Sequence, residues 1–213
     1  YFLKTDPKFN LDVSRETLVR LDEYSKDIIL KNKEINLISK STESSIKSRH
    51  IADSMQTIDF IDKNDIKTCT DLGSGAGLPG IVLGIIMSPK KPNFKVIFYE
   101  KSYHKSNFLR EMSKKFKLNV EIFQKNIFNE KNLITDVIIS RAFKPLPVIF
   151  QIAKRNFKNF KYIILFLGKN GKKILKDAMK NWKFDYEERK SITSDESIIV
   201  KISNLKKKWI EKL

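Results

Sequence analysis

The sequence contains a single cysteine, Cys69, and no long apolar run. One cysteine excludes an intramolecular disulfide and fits a chain that works in a reducing compartment. The longest apolar stretches, such as GIVLGIIM (80–87), are too short to cross a bilayer as a helix. The first ten residues, YFLKTDPKFN, have no apolar segment of the kind that a signal peptide carries. We therefore expect a cytoplasmic protein that does not associate with a membrane.

Acidic residues are scarce relative to basic ones: 25 Asp and Glu stand against 42 Lys and Arg, for a formal net charge of +17. A charge of this size favours a polyanionic partner such as nucleic acid. A second explanation competes with this one, because only seven of the basic residues are Arg. Abundant Lys, Ile, Asn and Phe also follow from the codon usage of an A+T-rich genome. Charge alone therefore leaves the partner open.

The N-terminal part of the chain has the pattern of helices. Residues 14–34 predict one helix, which begins near Ser14. Its apolar face consists of Leu18, Leu21, Tyr24, Ile28 and Ile29. A second helical pattern runs from about Thr42 to Phe60, with Ile46, Ile51, Met55 and Ile58 on its apolar face. We expect residues 1–62 to form a helical cap.

From residue 66 onward, short β-rich runs alternate with helical patterns. The predicted strands are 66–72, 94–100, 119–123, 135–141 and 161–167, and the predicted helices are 79–87, 102–116, 146–157 and 172–181. Two weaker runs, 183–189 and 196–202, follow as an antiparallel pair. This alternation is typical of βαβ units on a mostly parallel, doubly wound α/β sheet. We assign this domain to residues 63–213.

Glycine is also scarce, yet four of the seven glycines lie in DLGSGAGLPGI (71–81). Asp71 closes the first predicted strand, so Gly73, Gly75 and Gly77 fall in the turn at the carboxyl edge of the sheet, where ligands bind. A dinucleotide fingerprint would require a glycine at position 78, which is Leu. The spacing G-x-G-x-G after an acid instead resembles the first motif of S-adenosylmethionine-dependent methyltransferases. The motif predicts that the chain binds S-adenosylmethionine and has a Rossmann-like class I methyltransferase fold.

Glu100 ends the second predicted strand. A carboxylate at that place can accept hydrogen bonds from both ribose hydroxyls of a bound adenosine. The alternative is an exposed acid that pairs with Lys101 or Lys105.

The acceptor atom is constrained by what the sequence does not contain. Cys69 lies inside the first predicted strand, so it is no candidate for the nucleophile that C5-pyrimidine methylation needs. SRAFKPLP (140–147) is not the Asn/Asp-Pro-Pro-aromatic loop of exocyclic-amine methyltransferases. Methylation of guanine N7 needs neither a cysteine nucleophile nor that loop, because catalysis there reduces largely to holding the methyl donor and the acceptor in line. Another RNA atom, a small-molecule acceptor and a non-catalytic RNA-binding module remain alternatives.

Five motifs, in order, cover roughly residues 30–170 and carry a family resemblance. They are NKEINLIS (32–39), RHIADS (49–54), DLGSGAGLPGI (71–81), KSNFLRE (105–111) and SRAFKPLP (140–147). The chain resembles the bacterial 16S rRNA guanine-N7 methyltransferases of the glucose-inhibited division protein B family. The resemblance implies methylation of a guanosine in the 530 loop region, with 16S rRNA, the small ribosomal subunit or its precursor as partner. We expect a monomer.

The resemblance also implies functional residues. Cofactor contacts fall on Gly73, Leu78, Ile127, Phe128 and Arg141, in addition to Asp71, Gly75, Gly77 and Glu100 from the motif analysis. No metal site is expected.

RNA contacts and positioning groups are expected among basic residues. Arg49 and His50 share a helix face with Asp53, which we expect to orient them against RNA phosphate or the target base. A helix salt bridge without a functional role is the alternative. Arg141 is a further positioning candidate. Lys101, Lys105 and Lys169 are expected to contact RNA, although a solvated surface explains the first two equally well.

Overall fold

The computed structural model describes residues 13–62 and 65–208, so the first twelve residues of the predicted cap lie outside the described residues. The first helix, α1, spans Arg15–Asn32. Ser14 caps it by accepting a hydrogen bond from the Thr17 N–H. Its predicted apolar residues are buried except Ile29, which is half-buried. The prediction of this helix is confirmed.

The second predicted helix is not continuous. It is divided into a 3₁₀ turn (Lys40–Ser45), a π turn (Lys47–Ile51) and two short helices, α2 (Ala52–Met55) and α3 (Ile58–Asp62). The apolar face is nevertheless confirmed, because Ile46, Ile51, Met55 and Ile58 are all buried. The spacing of five residues from Ile46 to Ile51 suits a π turn, which adds one residue to the helical repeat.

A seven-stranded sheet forms the centre of the molecule, with the strand order β3-β2-β1-β5-β7-β9-β8. Its strands are β1 (Thr68–Leu72), β2 (Lys95–Tyr99), β3 (Val120–Phe123), β5 (Val137–Arg141), β7 (Tyr162–Leu167), β8 (Trp182–Ser191) and β9 (Ser194–Lys207). The strands from β3 to β7 pair in parallel, whereas β9 pairs antiparallel with both β7 and β8. The predicted sheet and its antiparallel end are therefore confirmed.

A small two-stranded parallel sheet was not predicted. It joins β4 (Leu133–Ile134) to β6 (Phe157–Asn159). Strands of two and three residues are too short to show periodicity, and Phe157 extends the apolar pattern of the helix before it.

Helices cover the two faces of the large sheet. They are α4 (Gly80–Lys90), α5 (Tyr103–Lys115), α6 (Leu146–Asn156) and α7 (Gly171–Ala178). One apolar core joins α1 and the later cap segments to α4 and α5, and a second core contains α6 and α7. The division of the chain at residue 62 stays a prediction. Within the described ranges, none of the helices has the length and apolar character to span a bilayer.

Candidate active site

The glycine loop, residues 73–79, joins the end of β1 to the start of α4. Gly73, Gly75 and Gly77 have φ values of 68°, 54° and 81°, in the region that L side chains avoid. Gly75 is the position that matters for a ligand. A Cβ there would project into open space, with the Gly73 carbonyl oxygen as its nearest neighbour at 3.9 Å. The absence of a side chain at Gly75 therefore leaves the backbone open to the adjoining cavity.

Asp71 stabilises the glycine loop through a hydrogen bond at its far end. Its side chain is buried, and its Oδ2 accepts a hydrogen bond from the Gly80 N–H at 2.9 Å. Burial raises the pKa of Asp71 to about 7; the Gly80 hydrogen bond opposes this increase, and the charge of Glu100 adds to it. Asp71 therefore ties the first residue of α4 to the end of β1.

Glu100 follows β2 and touches the glycine loop directly. Its Oε2 accepts a hydrogen bond from the Gly75 N–H at 2.9 Å, and its Oε1 accepts one from the Ser102 N–H at 2.8 Å. Within the described part of the chain, neither Lys101 nor Lys105 forms an ion pair with it. Glu100 as a whole is 8% exposed, and it lines the first of two cavities at this edge of the sheet.

The first cavity has a volume of about 440 Å³ and lies over the carboxyl ends of β1, β2, β3 and β5. This size is within the range of small-molecule sites. Its lining includes Gly73, Gly75, Glu100, Ile127, Phe128 and Lys101. Lys105 also lines it, so seven of the residues predicted from sequence for cofactor or RNA binding meet in one place.

The second cavity, about 290 Å³, lies between the glycine loop and the cap. The cap contributes residues 37–39 and His50, and the sheet side contributes Leu78 and Arg141. Gly73, Gly75, Lys105 and Ala142 line both cavities, so the two meet at the glycine loop. Among the described residues that line the second cavity there is no carboxylate.

Arg141, at the end of β5, is held by the cap. Its Nη2 lies 3.1 Å from Asp53 Oδ2 and donates a hydrogen bond to the Arg49 carbonyl oxygen at 2.8 Å. Its Nη1 donates to the His50 carbonyl oxygen at 3.3 Å. The guanidinium carbon lies 5.4 Å from the centre of the Phe166 ring. The direction of this side chain is therefore fixed before any ligand binds.

Asp53 does not orient Arg49 or His50 as the sequence led us to expect. The π turn changes the helical phase between these residues, and the Asp53 carboxylate pairs with Arg141 instead. The other oxygen of Asp53 accepts hydrogen bonds from Ser191 Oγ at 2.8 Å and Thr193 Oγ1 at 3.1 Å. Asp53 thus joins the cap to β5 and to the β8–β9 turn.

Arg49 and His50 have different surroundings. The Arg49 side chain is exposed. The His50 ring is half-buried, and its Nε2 lies 2.9 Å from Thr42 Oγ1. Burial lowers the pKa of His50 to about 4, and the charges of Arg141 and Arg49 act in the same direction. His50 is therefore neutral at pH 7.

Two residues that support the site were missed from the sequence as site residues. Tyr24 is fully buried on α1, and its hydroxyl donates a hydrogen bond to the Ala76 carbonyl oxygen in the glycine loop. Asn32 Oδ1 accepts hydrogen bonds from the Leu37 and Ile38 N–H groups, at 2.8 and 3.0 Å, and so shapes the cap wall of the second cavity. The sequence did contain a signal for Tyr24. A tyrosine on the apolar face of a helix is expected to be buried, and a buried hydroxyl needs a hydrogen-bond partner.

Four predicted site residues line neither of these two cavities: Arg49, Asp71, Gly77 and Lys169. Gly77 lies inside the loop, where an added Cβ would meet Ile81 at 2.4 Å. Lys169 is exposed and pairs with Glu196 at 3.1 Å. In the described ranges, no group of His, Cys, Asp and Glu side chains is arranged to hold a metal ion.

Residues 17–200 match the family model of GidB, rRNA small subunit methyltransferase G. The chain belongs to this family. A relative from Pelagibacter ubique (strain HTCC1062), named ribosomal RNA small subunit methyltransferase G, is 46% identical over 201 residues. That alignment covers 93% of this chain and 94% of the relative. The resemblance inferred from the five motifs is therefore confirmed.

Solved structures bear out the fold. A SAM-dependent methyltransferase from Aquifex aeolicus matches with a TM-score of 0.55 at 16% identity, over 75% of this chain and 92% of that one. TrmK of M. capricolum, solved in complex with S-adenosyl-homocysteine, matches with a TM-score of 0.52 at 15% identity, over 79% and 69%. The expected Rossmann-like methyltransferase fold is confirmed for this member of the GidB family.

Proposed function

We propose that this chain transfers a methyl group from S-adenosylmethionine to N7 of a guanine in the 530 loop region of 16S rRNA. The observation that carries the proposal is the meeting of two cavities at Gly73 and Gly75. Transfer between two substrates requires two sites that share the place of reaction. Membership in the GidB family supports rRNA of the small subunit as the acceptor.

The residues of the first cavity fit S-adenosylmethionine. The space that a Cβ at Gly75 would fill is open to a ligand, and the Glu100 carboxylate stands beside it. Each Glu100 oxygen accepts one backbone hydrogen bond and keeps a lone pair for a ribose hydroxyl. Ile127 and Phe128 would flank the adenine. When bound, the cofactor supplies an electrophilic methyl group on a positively charged sulfur.

The second cavity suits an acceptor that loses no proton. Guanine N7 is unprotonated at neutral pH and can attack a methyl group directly, so no general base is required. The lack of a carboxylate among the described residues of this cavity agrees with that chemistry. Arg141 and the neutral His50 would position the base, which they can do because the cap already fixes both.

Basic residues around the two cavities would bind the RNA backbone. Lys101 and Lys105 line the first cavity, and Arg49 extends from the cap into solvent. Lys169 would contact RNA farther along the same edge. Because N7 lies in the deep, narrow major groove of A-form RNA, the target must be in a loop or in incompletely folded RNA. We propose that the enzyme acts as a cytoplasmic monomer on 16S rRNA, the small subunit or its precursor.

Transfer of a labelled methyl group from S-adenosylmethionine tests this proposal. The acceptors are small-subunit RNA that lacks its N7 methyl group and intact subunits that contain this RNA, followed by digestion to nucleosides. Label in N7-methylguanosine supports the proposal. Label in another nucleoside would show that the enzyme methylates a different RNA atom. A chain that neither transfers label nor binds the cofactor would be a non-catalytic RNA-binding module.

A further inference from the structure

A third cavity, about 340 Å³, lies on the α6 side of the sheet. Its floor includes Ile152 and Trp182, both buried, and its rim includes Lys154, Arg155 and Lys207. The first two cations are in the last turn of α6. Lys207 is at the end of β9, directly opposite Trp182 on β8. Nothing in the methyl-transfer site accounts for this cavity.

All the charged side chains that line the third cavity are basic. No acidic side chain lines it among the described residues. Within residues 13–62 and 65–208, Lys154, Arg155 and Lys207 have no ion-pair or side-chain hydrogen-bond partner, although many other lysines on the surface are paired with acids. Three exposed, unpaired cations around one concavity favour a polyanionic ligand.

Phe128 connects the third cavity with the cofactor cavity. It lines both, and it is 39% exposed, so one ring is accessible from two sides. The segment that carries it is fixed to α6, because Asn156 Nδ2 donates hydrogen bonds to the Ile127 and Glu130 carbonyl oxygens, each at 2.6 Å. The two cavities are therefore neighbours with a rigid aromatic wall between them.

We propose that the third cavity is a second contact site for the RNA substrate. It binds an unpaired nucleotide away from the methylated guanine, with phosphates on Lys154, Arg155 and Lys207 and a base against Phe128. Cations that follow the backbone, together with an exposed aromatic ring, are the usual means of holding single-stranded RNA. The proposal rests on the function proposed above, because it takes the same RNA as the ligand.

A charge-neutralised triple variant tests the site. Lys154→Gln/Arg155→Gln/Lys207→Gln is compared with Lys33→Gln/Lys67→Gln/Lys114→Gln, which removes three exposed lysines that line none of the three cavities. The dissociation constant for small-subunit RNA is measured by filter binding across a salt series. Because each lost phosphate contact lowers the log–log salt slope by about 0.7, we expect the test variant to lose about 2 from the slope. Its affinity should fall about tenfold or more at 150 mM salt.

The control variant should keep a slope and an affinity much closer to those of the wild type. A charge-preserving variant, Lys154→Arg/Arg155→Lys/Lys207→Arg, should keep both as well. Equal losses in the test and control variants, or no loss in either, would overturn the proposal. The methyl-transfer assay on the wild type decides the proposed function separately. If the wild type transfers no methyl group, that function fails, whereas the salt titration still decides whether the third cavity binds RNA.

Discussion

The Asp53 carboxylate and the Arg141 guanidinium form a 3.1 Å ion pair between the cap and the end of β5. Their side chains are 11% and 17% exposed, so the pair is largely withdrawn from water. Ser191 and Thr193 bind the other oxygen of the same carboxylate. One side chain therefore fixes the position of three segments that enclose or support the second cavity.

Replacing Asp53 by Asn should weaken both the fold and the site. Arg141 would keep two carbonyl acceptors but lose its countercharge, and breaking a largely buried pair destabilises by about 3 kcal/mol. We expect this loss in the free energy of unfolding, measured in urea, and a higher KM for RNA in the methyl-transfer assay, because Arg141 lines the second cavity. Ser191→Ala is the control, because it removes a hydrogen bond to Asp53 and leaves the ion pair intact. A larger effect from Ser191→Ala would contradict the assigned role.

Tyr24→Phe should loosen the glycine loop. The change removes the hydrogen bond to the Ala76 carbonyl oxygen and leaves that buried acceptor unpaired, which destabilises by about 1–2 kcal/mol. Cofactor affinity should also fall. Tyr162→Phe is a matched control, since the Tyr162 hydroxyl donates to the Phe60 carbonyl oxygen, outside both cavities. We expect it to lower the free energy of unfolding without changing cofactor affinity. Equal cofactor affinity in both variants would show that Tyr24 has no special role in the loop.

The parts of the site that follow from local chemistry could be predicted from sequence. Positive φ at Gly75 is required by the turn itself, and Glu100 is placed by the strand that precedes it. The seven strands of the large sheet and most helices were also predicted, because each has its own periodicity. The π turn at Lys47–Ile51 was not predicted, although the spacing from Ile46 to Ile51 contained the signal.

Contacts between distant segments could not be predicted. The sequence offers Arg49 as a partner for Asp53 four residues later, yet Arg141 is its partner in the fold. Long-range packing decides that choice, since it brings the end of β5 against the cap. The Tyr24 hydroxyl likewise finds its acceptor 52 positions away. Periodicity gives the buried face of a helix but not what lies across from it.

Gly75→Val should abolish cofactor binding. The valine side chain would enter the space next to Glu100, and φ of 54° adds strain of about 1–2 kcal/mol. Calorimetric titration with S-adenosylmethionine measures the effect on protein shown to be folded. Gly168→Ala is the control, because its added Cβ would meet no atom within 4 Å and it lines neither cavity. Normal binding by Gly75→Val would refute the assignment of the loop.

Stability should depend on pH through Asp71. Its pKa is about 7 in the folded protein and near 3.8 in the unfolded chain, so between these values the folded state binds the extra proton. The stability from Asp71 is present in full below about pH 4 and is lost as pH rises to about 7, by up to about 4 kcal/mol. Asp71→Asn removes this dependence while its side-chain oxygen can still accept the Gly80 hydrogen bond.

The measurement is the difference in unfolding free energy between wild type and Asp71→Asn from pH 4 to 8. Taking the difference between the two proteins cancels the contribution of His50 to the free energy of unfolding. Because the pKa of His50 is lowered in the folded protein, that contribution falls as pH drops from about 6.5 to 4. The free energy of unfolding of Asp71→Asn should increase relative to that of the wild type as pH rises. A constant difference would mean that Asp71 is ionised throughout.

Arg49→Ala should affect RNA and not the cofactor. The substitution removes an exposed cation but keeps the backbone carbonyl that accepts from Arg141, so the geometry of Arg141 is preserved. We expect KM for RNA to rise about threefold to tenfold, as for the loss of one phosphate contact. The dissociation constant for S-adenosylmethionine should be unchanged. An equal loss of cofactor affinity would show that Arg49 is no dedicated RNA contact.

We propose that the two cavities at the glycine loop bring a methyl donor to guanine N7. Borohydride and aniline treatment is the decisive test, because this pair cleaves RNA strands at N7-methylguanosine. Small-subunit RNA without its N7 methyl group is incubated with S-adenosylmethionine and either wild type or Gly75→Val, then treated. We expect cleavage at one guanosine with the wild type and none with the variant. Incorporation of labelled methyl groups without strand cleavage would rule out N7 as the acceptor.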